Sequence, residues 1–143
     1  MKDIRVTQLA ENLINNAIAL KAGENILIET TDTPDEISTE LVKAVVKAGG
    51  NAFVRNSNSR VRREWIKSAT KQALELRAKL DLDEMKQMQA YIAIRGADNA
   101  MENCDIDDEK MFLFRTLNED VLNYRVNETR WCVLRWPNPS MAQ

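Results

Sequence analysis

The chain has 143 residues, 44% hydrophobic and 29% charged, which is the balance of an ordinary globular domain and excludes a disordered or fibrous protein. Twenty basic against 22 acidic residues leave a net charge of −2, so no whole-molecule field draws it to nucleic acid or anionic lipid. There is no histidine, which removes the commonest general base and the commonest transition-metal ligand together. No apolar run approaches the ~20 residues that cross a bilayer. The stretch Met1–Arg5 lacks the apolar core of a signal peptide. Cys104 and Cys132 form neither a CxxC motif nor a disulfide framework. A soluble, cytoplasmic protein is expected.

In chain order, residues 3–20 carry Val6, Leu9, Ala10, Leu13, Ala17 and Leu20 on one stripe, which predicts an amphipathic helix stopped by Gly23. Asn25–Thr30 is a short apolar run of strand type. Thr33-Pro34-Asp35-Glu36 reads as a helix start, with Thr33 as cap, Pro34 at the first helical position and Glu36 closing a capping box. Ile37, Leu41, Val45 and Ala48 give that helix its apolar face, and Gly49-Gly50 ends it. Ala52-Phe53-Val54 is a second strand, completing a βαβ unit. Residues 60–89 are helical, with a restart expected at Asp81-Leu82-Asp83-Glu84. Tyr91–Ile94 is the third strand and residues 95–104 are a polar loop. Asp105 is expected to cap a helix using Met111, Phe114, Leu117, Val121 and Tyr124. A fourth, buried strand follows at Trp131–Arg135. The order α-β-α-β-α-β-α-β implies an α/β fold of three layers, with a mostly parallel sheet of about four strands and flanking helices.

Pro137–Pro139 stops the last strand, and Ser140-Met141-Ala142-Gln143 fits a capping box. A capping box opens a helix, and a single turn has no stability of its own. The expectation is therefore a domain over residues 1–136, with 137–143 as a linker and the start of a further helix in a longer protein.

Candidate chemistry is sparse. Four glycines form neither GxGxxG nor GxxxxGK[ST], so the Rossmann-like order comes without a nucleotide motif. Ser68-Ala69-Thr70-Lys71 matches the S-x-x-K pattern of a lysine-activated serine, without its companion motifs; the structural alternative is a helix surface, or a break capped by Thr70. Asp105–Glu109 is acidic like a calcium loop, but Lys110 and Thr116 stand where an EF-hand needs Gly and Glu; negative charge at a helix N-terminus explains the run better. Arg60, Arg63, Lys67 and Lys71 share a helix face that reads as solvated rather than nucleic-acid-binding. Asn127-Glu128-Thr129 matches a glycosylation sequon that carries little weight without a secretion signal. Cys104 falls in a loop where it is open to reaction, whereas Cys132 falls in a buried strand where it is inert. Arg95-Gly96-Ala97-Asp98-Asn99 leaves the carboxyl end of an inner strand, where open α/β sheets place ligands. Arg95 and Asn99 are the candidates for a cleft-lining loop; loop hydrogen bonding and helix capping are the alternative.

The segments Tyr91–Asn99 and Thr129–Gln143, the latter ending Trp-Pro-Asn-Pro-Ser-Met-Ala-Gln, resemble the thermophilic-type metalloaminopeptidases, the aminopeptidase T and aminopeptidase S enzymes often labelled leucyl aminopeptidases. Lys21-Ala22-Gly23-Glu24, the Ile26–Glu29 strand and Arg63-Glu64-Trp65-Ile66 carry the same resemblance, which extends over essentially the whole chain. It implies a parent enzyme that removes N-terminal residues from peptides with two divalent metal ions, zinc, cobalt or similar, which polarise the carbonyl and activate water. It also implies that the metal and catalytic residues lie in a C-terminal catalytic domain, so no catalytic or metal residue is assigned in this chain, which alone is expected to be inactive. The expected partners are that domain and the parent's peptide substrates, with a homodimeric parent admissible. The alternatives are a free-standing α/β binding module, or a serine hydrolase using Ser68 and Lys71.

Overall fold

The computed structural model describes residues 3–96 and 105–137. The elements are α1 (Ile4–Asn12), a π-helical turn (Leu13–Ala17), β1 (Asn25–Thr31), α2 (Asp35–Lys47), β2 (Asn51–Ser57), α3 (Ser59–Ser68), α4 (Lys71–Met85), β3 (Ala90–Gly96), α5 (Asp108–Leu117), α6 (Glu119–Glu128) and β4 (Arg130–Trp136). The four strands form one parallel sheet in the order β2-β1-β3-β4. The chain steps from β1 outward to β2, then reverses across β1 to β3 and on to β4. With crossovers of one hand, that reversal must put the helices on opposite faces. It does. α1 and α2 cover one face, where Ile26, Ile28, Ile92 and Ile94 pack with Val6, Ala10, Ile14, Ile37, Leu41 and Val45. On the other, Leu27, Tyr91 and Ala93 pack with Met85 of α4, Met88 just beyond it and Val121 of α6. The continuous apolar run of β1 is thus divided between two cores, as a two-sided sheet requires. The three-layer α/β architecture expected from the element order is the one observed.

Several boundaries move for identifiable reasons. The first helix does not run to residue 20. After Asn12 it widens into the π turn, with Ile18 N–H donating to Leu13 O at 2.9 Å, and this brings Leu13, Ile14 and Ile18 all into the core. Its stop is Ala19 at φ 53°; Gly23, at φ 83°, belongs to the next turn and donates to Gly49 O at 2.9 Å. Thr33 does not cap α2. Pro34 holds that position, Thr33 Oγ1 is buried without a partner, and Glu36 Oε1 accepts the Asp3 N–H at 2.9 Å instead of closing a box. The other end of α2 behaves as expected, since Gly49 and Gly50 donate to Val46 O and Val45 O at 3.0 Å in a Schellman motif.

The helical stretch after residue 59 breaks at Ala69-Thr70, where Thr70 Oγ1 caps α4 by accepting from Ala73 N–H at 3.1 Å. No restart occurs at Asp81, because that carboxylate is drawn inside α4 by Arg77 at 2.9 Å and Arg55 at 3.2 Å. Asp107, not Asp105, caps α5, and Asn118 divides the expected single helix into α5 and α6. β4 is only half buried. Cys132, Leu134 and Trp136 pack against the α1–α2 core, whereas Trp131 and Val133 on the other face remain 47% and 40% exposed. Cys132 is accordingly at the margin of the core. The capping box at residues 140–143 lies outside the described residues.

Candidate functional site

The order β2-β1-β3-β4 places the switch point of the sheet between β1 and β3, where the loops that follow diverge. The main chain pinches shut there. A Cβ on Gly96 would sit 2.2 Å from Asp32 O, so only glycine permits this approach. Asp32 adopts φ 55°, a left-handed conformation in which aspartate is enriched among non-glycine residues, and contacts from the distant β2–α3 junction hold it there. Here Asp32 Oδ1 accepts from Ser59 N–H at 3.0 Å, and Asp32 N–H donates to Ser57 O at 3.1 Å. Below this pinch, Thr30 and Ser38 hydroxyls donate to Asn56 Oδ1 at 2.7 and 3.1 Å, tying β1, α2 and β2 together.

What remains accessible is the last row of side chains on the face that carries α4 and α6. The register aligns Ser57, Thr31, Arg95 and Arg135 across all four strands. In-register neighbours of a parallel sheet project to the same side, and Thr31 Oγ1 and Ser57 Oγ meet at 3.0 Å accordingly. Arg95 and Arg135 are both exposed. Arg95 was a candidate from its loop position; Arg135 was missed, although each is the sixth residue of its strand. Aligning strand starts is the signal that finds it. Asn99 and Cys104 lie outside the described residues.

One row deeper the same face holds Arg55, Glu29, Ala93 and Val133. Arg55 reaches Glu29 at 3.5 Å, Asp81 at 3.2 Å and Glu84 at 2.5 Å. Tyr91 Oη donates to Glu29 Oε1 at 3.1 Å, and the Arg125 guanidinium lies 3.9 Å over the Tyr91 ring. Burial, and then the negative charge of Glu29, push the Tyr91 phenol well above its ordinary range. It is a fixed hydrogen-bond donor with no acid–base role near neutrality.

The remaining candidates separate. Ser68 donates to Glu64 Oε1 at 2.9 Å, while Lys71 begins a different helix and faces Glu75 at 3.9 Å, so the two are not brought together. The basic face is likewise divided: Lys71 leaves it, and Arg63 and Lys67 both reach Asp105 at 3.2 Å. The Lys67 hydrogen bond is the main reason that the Asp105 carboxyl is held below its usual range. Asp108 and Glu109 occupy the first turn of α5, where they favour the helix dipole. An open cleft of about 400 Å³ lies at the amino end of the sheet, lined by residues including Lys86, Gln89, Tyr124 and Arg130.

The sequence model of one family, described as thermophilic metalloprotease (M29), matches residues 2–143. The chain belongs to that family. No curated protein matches it. Among solved structures, wild-type AmpT from Thermus thermophilus is similar with a TM-score of 0.72 at 16% identity, over 95% of this chain and 36% of that one. At that identity the likeness is one of fold. The M29 chain described here spans little more than a third of AmpT. A LacI-family putative transcription regulation repressor from Corynebacterium glutamicum aligns over 91% of this chain and 59% of its own, with a TM-score of 0.39 and 10% identity, too distant to carry an argument.

An M29 metalloprotease implies a divalent metal, which can be tested against these side chains. Among the described residues no group of three or more His, Cys, Asp or Glu is placed to hold one. The acidic side chains Glu29, Asp81 and Glu84 converge on the Arg55 guanidinium, which satisfies the oxygens a cation would need. These residues do not fit a metal pair, and no hydrolytic step is routed through them.

Proposed function

We propose that this M29 chain is the non-catalytic front domain of a metal-dependent aminopeptidase, which removes N-terminal residues, leucine among them, from peptides. The observation that carries the reading is family membership over residues 2–143 in a chain that spans 36% of AmpT. In this reading residues 1–136 form the domain and 137–143 lead into the catalytic part, which holds paired divalent cations such as zinc or cobalt. That part and a second copy of the enzyme are its partners, in the cytoplasm. The domain packs beside the catalytic part, and Arg95 and Asn99 face the substrate cleft. The absence of histidine from this chain suits a division in which its role is to position peptides rather than to bind metal.

The test is hydrolysis of leucine amide by the intact gene product with zinc or cobalt, with and without chelator. The expected result is metal-dependent release of leucine by the intact product and none by residues 1–143 alone. Replacing Arg95 and Asn99 together by Ala should raise KM about threefold to tenfold at unchanged kcat, the signature of lost uniform binding. No hydrolysis by the intact product under any metal overturns the reading in favour of a binding module.

A further inference from the structure

The last row of the sheet juxtaposes two like charges. Arg95 and Arg135 are in-register neighbours on adjacent parallel strands, so their Cα atoms are about 4.8 Å apart and their side chains leave the same face. Like charges directly opposite in a sheet repel. Among the described residues no carboxylate pairs with either of them, although the same face supplies Arg55 with three, one row away. Both arginines are exposed at the carboxyl end of the sheet, the end where open α/β folds hold ligands. Thr31 Oγ1 lies next in the row. Behind Arg135 on the same strand face, Val133 and Trp131 form an apolar ledge, 40% and 47% exposed.

Two planar fork donors beside a hydroxyl and an apolar ledge suit a small molecule with a carboxylate and an apolar body. We infer that Arg95 and Arg135 form a carboxylate-binding pair that takes the C-terminal carboxylate of a short peptide. The inference rests on the aminopeptidase reading and narrows its substrate class to short peptides with a free C-terminus. An α-carboxyl titrates near pKa ~3.5, so it is anionic at neutral pH, whereas a C-terminal amide is not.

The experiment uses the 143-residue chain with ¹⁵N-labelled arginine, following the Nε–Hε signals of Arg95 and Arg135 at fixed ionic strength. Trialanine, trialanine amide, an alanine tripeptide amide with one internal glutamate, and inorganic phosphate are titrated in turn. Trialanine should bind at least about fivefold more tightly than its amide, the range of a partly exposed charge-assisted contact. Arg95→Gln or Arg135→Gln should each bring that ratio close to one, with backbone spectra unchanged as the control for folding. Equal binding of acid and amide overturns the proposal. So does a response to phosphate without one to trialanine. Binding of the glutamate-containing amide as tight as trialanine also overturns it, assigning the pair to acidic side chains instead. None of these failures bears on metal-dependent leucine release by the intact product, so the two readings fall separately.

Discussion

Gly96 and Gly23 differ in what glycine does for each. A side chain at Gly96 meets the Asp32 carbonyl at 2.2 Å, main chain that cannot swing aside, whereas one at Gly23 has nothing within 4 Å and strains only φ 83°. Gly96→Ala should therefore destabilise by about 3 kcal/mol, the upper range of overpacking, and Gly23→Ala by about 1 kcal/mol, the cost of a left-handed alanine. Urea midpoints at an unchanged m-value measure both; equal losses would show that the Asp32–Gly96 approach relaxes freely. Thr33 shows the reverse limit of residue-level reading. Its type and spacing fit a cap, but the extended Pro34 and the pull of Asp3 on Glu36 leave its hydroxyl without a partner.

Strand β4 is the element in which alternation carries most information. Leu134 faces the α1–α2 core, and Val133, its neighbour, is 40% exposed. Leu134→Ala should cost about 2 kcal/mol, at the low end for a leucine that is not fully buried, while Val133→Lys should change stability by less than about 0.5 kcal/mol. Thermal or urea unfolding of the two variants checks the assignment of faces. A one-residue slip in register would exchange the two results. Helix breaks obey different rules from strands. Thr70 terminates one helix and begins the next because its hydroxyl satisfies the Ala73 N–H, whereas the acidic Asp81 stays within α4 because two arginines hold it there. Both residues are acceptable caps by type; their partners decide.

Across the whole molecule, the Arg55 cluster joins β2 to β1 through Glu29 and to α4 through Asp81 and Glu84, and Tyr91 and Arg125 extend it to β3 and α6. It is the polar counterpart of the second core. Arg55→Gln leaves three carboxylates facing one another without their common cation. A fully buried pair would lose more, but Arg55 is 32% exposed, so solvent moderates the loss to about 2 kcal/mol. Urea unfolding at neutral pH measures it. The deficit should shrink as salt screens the cluster, and a variant equally destabilised in about 1 M sodium chloride would contradict the electrostatic account.

The sequence by itself determined the alternation of apolar runs with amphipathic helices, hence the three-layer α/β class, and the end of α2 at Gly49-Gly50. Its resemblance to the metalloaminopeptidases agrees with membership of the M29 family. Arg95 was legible as a site candidate because loop position at a strand end is local information. Strand order was not. Periodicity records which side of an element is apolar, but neighbours in a sheet are chosen by packing between segments far apart in the chain. Only the tertiary structure put β3 beside β4 in register, and with it Arg95 beside Arg135. It also decided that Trp131 and Val133 stay exposed, because β4 has a strand neighbour on one side only among the described residues and one of its faces is left largely open.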